Sequence, residues 1–408
     1  MPTQAVSRRR ALISIFAGCI RSISIIPIAL AILLTSWCGA GNAEERAGPC
    51  IAPQPGDDLK NCNFAGANLE GADLTRTDIR GVSFVMAQLT GADFTGALGR
   101  EANFSAADLT GAKLRGDFVA AQFRRTTMTR ADASGGSFTG ADFTDALLDG
   151  ADFSRANLRI AEFFQARMRG TSLREADLTS ANLIEADLSG ADLTRARLAR
   201  TIITEALLVG ANLSEAYLAG TVFDRSNLDG ANLRGAYIFT TSFRQSTAQR
   251  VALFGAIVLR PIIEETDFSG VLGAPAWLEA GLRAGKFSPE KLASAIKNGL
   301  KTLNGAYLHK LDLAGADLSG ADLRYADLTE TDLRRANLQD SDLLLADASA
   351  ADLRGANLGG ANLAGTQLQG ALIEMHFKRE SEMWGHQGQP EWVETVPIDQ
   401  EGKLITEE

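Results

Sequence analysis

The sequence predicts an all-β solenoid, a fold in which one short unit winds into stacked coils. A large apolar residue recurs every five residues through most of the chain, phenylalanine recurs every twenty, and 40 glycines against 10 prolines in 408 residues supply regular turns. A period of five matches neither the 3.6 of a helix nor the 2.0 of a strand, so every unit must turn. Fixing five backbones costs roughly 5 to 10 kcal/mol, whereas burying one large side chain stabilises by about 1.5 to 3 kcal/mol. A single unit cannot fold, and stability must come from ladders and stacking between successive turns.

Residues 1–43 have the layout of an export signal: basic Arg8, Arg9 and Arg10, then apolar residues from Ala11 to Ile20 and from Ser22 to Leu34. Gly41-Asn42-Ala43 places small residues at −3 and −1 of a cleavage point, while Ser22 to Ala40 is almost long enough to span a membrane as an uncleaved anchor. Cys19 and Cys38 sit in poor lipoprotein contexts and read as apolar filler. Either way the remainder is expected outside the cytoplasm, periplasmic or secreted, or tethered to the inner membrane by residues 22–40. Residues 44–61 read as a linker or cap. They hold Cys50, which with Cys62 leaves an even number of cysteines in a compartment that permits disulfides. A Cys50–Cys62 bridge and a buried thiol at Cys62 both fit.

The repeat proper is expected over 62–270 and again over 306–375, about 56 units in all. The large residue falls at every fifth position from Phe64 to Phe94, skips Gly99, and resumes through Leu114. At Gly116-Asp117-Phe118 the phase slips back by one residue and then holds to Phe268, and a second run goes from Leu308 to Ile373. Phe64, Phe84, Phe104, Phe123, Phe143, Phe163, Phe223 and Phe243 are spaced by twenty once the slip is allowed for. Four units per turn would stack these rings on one wall and leave the other three mostly to Leu, Met and Ile.

The tandem A-[DN]-[LF]-x-x pattern, as in Ala67-Asn68-Leu69-Glu70-Gly71-Ala72-Asp73-Leu74, resembles the pentapeptide-repeat family from residue 62 to 373 apart from one interruption. The resemblance implies a right-handed quadrilateral β-helix, of about 14 coils at four units each, with the large residue and the small residue two before it inside. Ala176, Ala211 and Ala316 hold small-residue places, with Thr201, Thr221 and Ser226 as substitutes. Some members of the family are acidic DNA mimics that bind DNA gyrase, which is the alternative functional expectation.

A small helical insertion is expected over 271–305. Ser288-Pro289-Glu290 offers an N-cap followed by proline at the first helical position, and Leu292, Ile296, Leu300 and Leu303 mark one apolar face. The insertion either caps a coil or docks a partner through Trp277, Leu278, Leu292 and Ile296. Residues 376–408 read as a polar acidic tail.

Formal charge is −10, and four of the 40 basic side chains lie in the first 43 residues, leaving 36 against 50 acidic ones. Such a balance opposes binding to a phosphate backbone, so no nucleic-acid partner is expected. His309, His376 and His386 are scattered and no Cys-x-x-Cys pair occurs, so neither a metal nor any other cofactor is indicated, and no catalytic residue stands out. Outward rows such as Asp312, Asp332 and Asp352, interleaved with Arg324, Arg334 and Arg354, favour ion pairing over Ca²⁺. These features predict a non-catalytic exported rod that binds an unknown envelope protein and meets membrane only through an uncleaved amino-terminal segment.

Overall fold

The computed structural model describes residues 50–283 and 286–373. Residues 1–43, read as an export signal, with Cys19 and Cys38, and the tail 376–408, with His376 and His386, lie outside the described residues. Parallel bridges join residues twenty apart, one in each five-residue unit: Asn63 with Ser83, Asn68 with Gln88, Asp73 with Asp93. Four units therefore complete one coil and give it four walls. The large residue donates its N–H to the following coil (Phe64 to Ser83 O, 2.8 Å), and the outward residue before it donates to the preceding one (Asp78 to Asp57 O, 2.9 Å). The corner that follows is a turn: Ala67 N–H returns to Phe64 O at 3.0 Å, with Gly66 at φ 68° as the third residue. A backbone that turns every five residues never extends a strand beyond a few residues. Of the coil ladder, three-residue strands form at Tyr237–Phe239 (β1) and Ile257–Leu259 (β2), paired in parallel.

The ladder begins earlier than the motif. Asp58 pairs with Asp78 and Leu59 is fully buried, inside the segment 44–61 read as a linker. Leu59 keeps the five-residue phase, although Asp57 occupies the small-residue place. The phase slip also has a structural cause. Four bridges, Leu98–Asp117, Asn103–Gln122, Asp108–Thr127 and Lys113–Asp132, span nineteen residues, because the corner at Gly116 closes one residue sooner. A Cβ on Gly116 would lie 2.6 Å from Ala97 O, and one on Gly99 would lie 2.6 Å from the Phe118 ring. The apparent gap at Gly99 is thus filled by the next residue of its own column.

The core is one continuous stack of inward side chains. Phe64, Phe84, Phe104, Phe123, Phe143 and Phe163 lie face to face with ring centroids 4.8 to 5.2 Å apart, and Phe223 and Phe243 form a separate pair at 5.3 Å. The other walls are more aromatic than the expected Leu, Met and Ile: Phe94, Phe118, Phe138 and Phe153 are buried there, and Phe94 meets Phe84 edge to face at 5.8 Å. Where Thr replaces the small Ala, its hydroxyl donates to the carbonyl of a large residue, one coil away for Thr201 (Leu178 O, 2.7 Å) and Thr221 (Leu198 O, 2.7 Å) and in the same coil for Thr77 (Leu74 O, 2.7 Å). A buried polar side chain is tolerated because it is satisfied.

Leu272 still pairs with Ala252 and Thr302 already pairs with Asp322, so the chain leaves the ladder between them, a shorter departure than 271–305. Ala276–Gly281 form α1, Leu282–Arg283 (β3) pair antiparallel with Lys286–Phe287 (β4), and Pro289–Lys297 form α2. Ser288 caps α2 by accepting the Lys291 N–H at 3.2 Å. The helix ends before Gly299 (φ 106°). Leu300 and Leu303 therefore lie beyond it, and Leu303 is an inward repeat residue with its N–H on Asp322 O at 2.9 Å. Among the described residues one backbone hydrogen bond joins the coil before the insertion to the coil after it, from Arg260 N–H to Gly305 O at 2.8 Å. The Arg260 guanidinium adds to this joint by donating to Tyr325 O (3.1 Å) and to Leu345 O.

Candidate interaction surface

Where the outward residue of a unit is Asp or Asn, it performs turn chemistry first. Its side chain accepts the N–H two residues on, as Asn63 does from Ala65 (3.0 Å) and Asp93 from Thr95 (2.9 Å). That local bond explains the [DN] of the repeat without any ligand. Arginines then neutralise the carboxylates. Arg80 grips Asp78 with two hydrogen bonds of 2.8 and 2.6 Å and holds its carboxyl down to about 2. In the Asp312, Asp332 and Asp352 column, Arg334 binds Asp332, Arg354 binds Asp352, and Lys297 lies 3.4 Å from Asp312. Both aspartates gripped by arginine are shifted below the usual carboxylate range by those arginines. Among the described residues no group of three or more His, Cys, Asp or Glu is arranged to hold a metal ion.

One wall changes character along the solenoid. Its outward column reads Asp78, Leu98, Asp117, Ser137, Asn157, Asp177 and Arg197, and then becomes Tyr217, Tyr237 and Ile257. Tyr217 and Tyr237 stack at 5.1 Å and Tyr217 is 42% exposed, while Ile257 beside them is 52% exposed. Phe239 lies 6.4 Å from Tyr237 at the adjoining corner. At the opposite corner the exposed Phe254 sits under the Arg234 guanidinium (4.9 Å) and against Gly273, where a Cβ would be 2.4 Å from the ring. Leu272 on the neighbouring wall is exposed as well. The twenty-residue spacing of Tyr217 and Tyr237 is legible in the sequence, but the inward period that defines the repeat carries no information about outward places.

The insertion residues marked for docking are not on this surface. Trp277, Leu278, Leu292 and Ile296 are at most 2% exposed. Leu278 helps line a small apolar cavity at the end of the first coil block, with Phe243, Val258, Ile263 and Phe268 among its walls. Trp277 meets Phe287 edge to face at 6.5 Å. These side chains are spent on packing, so the docking expectation for them is corrected: a buried anchor offers a partner nothing. Cys50 and Cys62 are joined as a disulfide with Cα atoms 5.3 Å apart, tying the segment before the ladder to the first coil.

The pattern of pentapeptide repeats matches the chain in eight copies, at 58–96, 88–116, 121–159, 137–174, 161–200, 206–245, 303–340 and 341–373, together more than half of it. The copies leave out 246–302, which includes the insertion and the coil carrying Phe254 and Ile257. A comparison with curated proteins finds no match. Among solved structures, HetL, a pentapeptide repeat protein involved in heterocyst differentiation regulation in the cyanobacterium Nostoc, is 22% identical over 75% of this chain and 90% of its own, with a TM-score of 0.16. A pentapeptide repeat protein of the Arabidopsis thaliana thylakoid lumen is 27% identical over 40% of this chain and 90% of its own, with a TM-score of 0.19. QnrB1, a plasmid-mediated fluoroquinolone resistance protein, is 20% identical over 49% of this chain and 85% of its own, with a TM-score of 0.31. The eight matched copies, with the twenty-residue ladder and the inward Ala and Leu or Phe, place the chain in the pentapeptide repeat family, whose architecture is the right-handed quadrilateral β-helix.

Proposed function

We propose that the protein is a non-catalytic, exported interaction scaffold of the cell envelope, whose partner binds the wall around Tyr217, Tyr237 and Ile257. The aromatic column carries this reading. Soluble surfaces seldom group large apolar side chains unless something covers them, and tyrosine is enriched where proteins meet. Export is supported by the basic and apolar order of residues 1–43, and the Cys50–Cys62 bridge suits an oxidising compartment. About 14 coils at four units each give the rigid support, and the insertion acts as the cover of the first block. Against DNA mimicry, many of the outward carboxylates are occupied by arginine or by their own turns, as at Asp78, Asp332 and Asp352.

The test is in-cell cross-linking from a photoreactive residue at position 217, followed by fractionation. One discrete cross-linked envelope protein is expected, lost when Tyr237→Ser and Ile257→Ser are added while the circular dichroism spectrum is unchanged. A cross-linking pattern indifferent to those substitutions, or saturable binding of the chain to purified DNA gyrase, overturns the reading. Amino-terminal sequencing of the same fraction determines whether residues 1–43 are removed.

A further inference from the structure

At the carboxy-terminal end of the coil stack the interior is open on three of its four walls. Leu358, Leu363 and Leu368 hold inward places in the last coil, yet Leu363 is 37% exposed and the other two are half-buried. One coil earlier the same columns, at Leu338, Leu343 and Ala348, are at most 1% exposed. The backbone is open too. Leu338, Leu343 and Ala348 donate their N–H groups to Asn357, Asn362 and Gln367 O, each at 2.8 Å, whereas the matching donors of Leu358, Leu363 and Leu368 have no partner among the described residues. An unpaired ladder of this kind is a template for any extended chain, and terminal repeats need a cover with a polar outer face. On the fourth wall Ile373, the last described residue, is 4% exposed.

We infer that residues 374–408 turn back onto this end and close it, their apolar side chains covering Leu358, Leu363 and Leu368 and their backbone accepting the open N–H groups. The sequence after Ile373 runs for 35 residues, while a coil takes twenty, so one layer of cover is within reach. Ile373, Met375 and Phe377 alternate with polar residues, and Met383, Trp384, Trp392 and Val393 follow. Nine acidic and three basic side chains in the same stretch supply a charged outer face. The stretch lacks the A-[DN]-[LF] unit, so it ends the ladder instead of extending it. A second copy of the chain competes for the same edge, but a tethered segment acts at an effective concentration of order millimolar, above that of a second molecule in dilute solution. The inference does not depend on the interaction role of the Tyr217 wall.

Hydrogen exchange of the full chain against a form ending at Ile373 tests it. Amides of Leu358, Leu363 and Leu368 are expected to be protected in the full chain and to exchange at least about tenfold faster in the shortened one, with exchange over 303–343 unchanged. Equal exchange of those three amides in both forms overturns the inference. Protection that falls on dilution of the full chain overturns it in favour of a second copy. If the shortened form does not fold, full-length Trp384→Ser/Trp392→Ser is measured instead, and the same acceleration is required of it.

Discussion

Residue Ile160 shows what the corners demand of a side chain. It has φ 50° and is 55% exposed, so a β-branched residue occupies the left-handed region on the surface. That conformation costs an L-residue about 1 to 2 kcal/mol, and the substitution Ile160→Asn is expected to raise stability by about 0.5 to 1 kcal/mol, read as a higher urea midpoint. The converse holds at Gly111, at φ 65° with open space around its missing Cβ: Gly111→Val should lower stability by about 1 to 2 kcal/mol through backbone strain alone. Inside, Phe104 is stacked on both faces and met by Phe94 from the side, so Phe104→Ala should cost about 3 to 5 kcal/mol in the same denaturation experiment. Its column was legible because identity alone repeated every twenty residues. Phe118 and Phe138 were harder to place, since they share their wall with Ile79 and Leu158 and repeat only once. Outward positions gave no such guidance: Tyr217 and Tyr237 pack on each other, and nothing in a period says that an exposed stack forms a surface.

At the level of elements, the insertion was legible at its start and misleading at its finish. Ser288-Pro289 marks the beginning of α2 by a mechanism, a side-chain cap followed by a residue with no N–H to satisfy. Ser288→Ala should accordingly lower stability by about 0.5 to 2 kcal/mol, detectable as faster exchange of the Lys291 amide. Leu300 and Leu303 continue an apolar spacing that a helix would also show, yet Leu303 belongs to the next coil, which resumes its five-residue phase there. A helical period and a repeat period overlap over so few residues that only the ladder separates them. Burial of Trp277 was equally invisible, because an aromatic residue in an insertion looks the same whether it faces a partner or the end of its own solenoid.

For the solenoid as a whole, acidity and the joint at Arg260 govern stability. Asp78 and Asp317 titrate at about 2 in the folded chain, the first held down by Arg80, the second by Ser319 and then Lys301. A depressed carboxylate contributes stability that is complete above its unfolded value near 4 and is lost as pH falls through its folded value. Melting temperature should therefore stay level from neutrality to about pH 5 and fall between about pH 4 and 2, and a melt that declined already between pH 7 and 5 would contradict these assignments. Arg260 donates to carbonyls 65 and 85 residues away, across the point where the ladder is interrupted. Arg260→Ala should split a single calorimetric transition into two, with 303–373 melting first, because coils stabilise mainly their neighbours.

The shortened coil at Gly116 has a consequence for how such a surface is altered. Dropping one residue there left every later side chain on the face it already occupied, since the circuit still closes after four sides. Removing a whole five-residue unit upstream would instead rotate everything after it by a quarter turn, carrying the Tyr217 column to an adjacent face, while removing twenty would only slide it along the axis. Angular placement of a patch is thus set by counting units, one to a side, modulo the four of a circuit, a coordinate that can be edited without touching the patch itself.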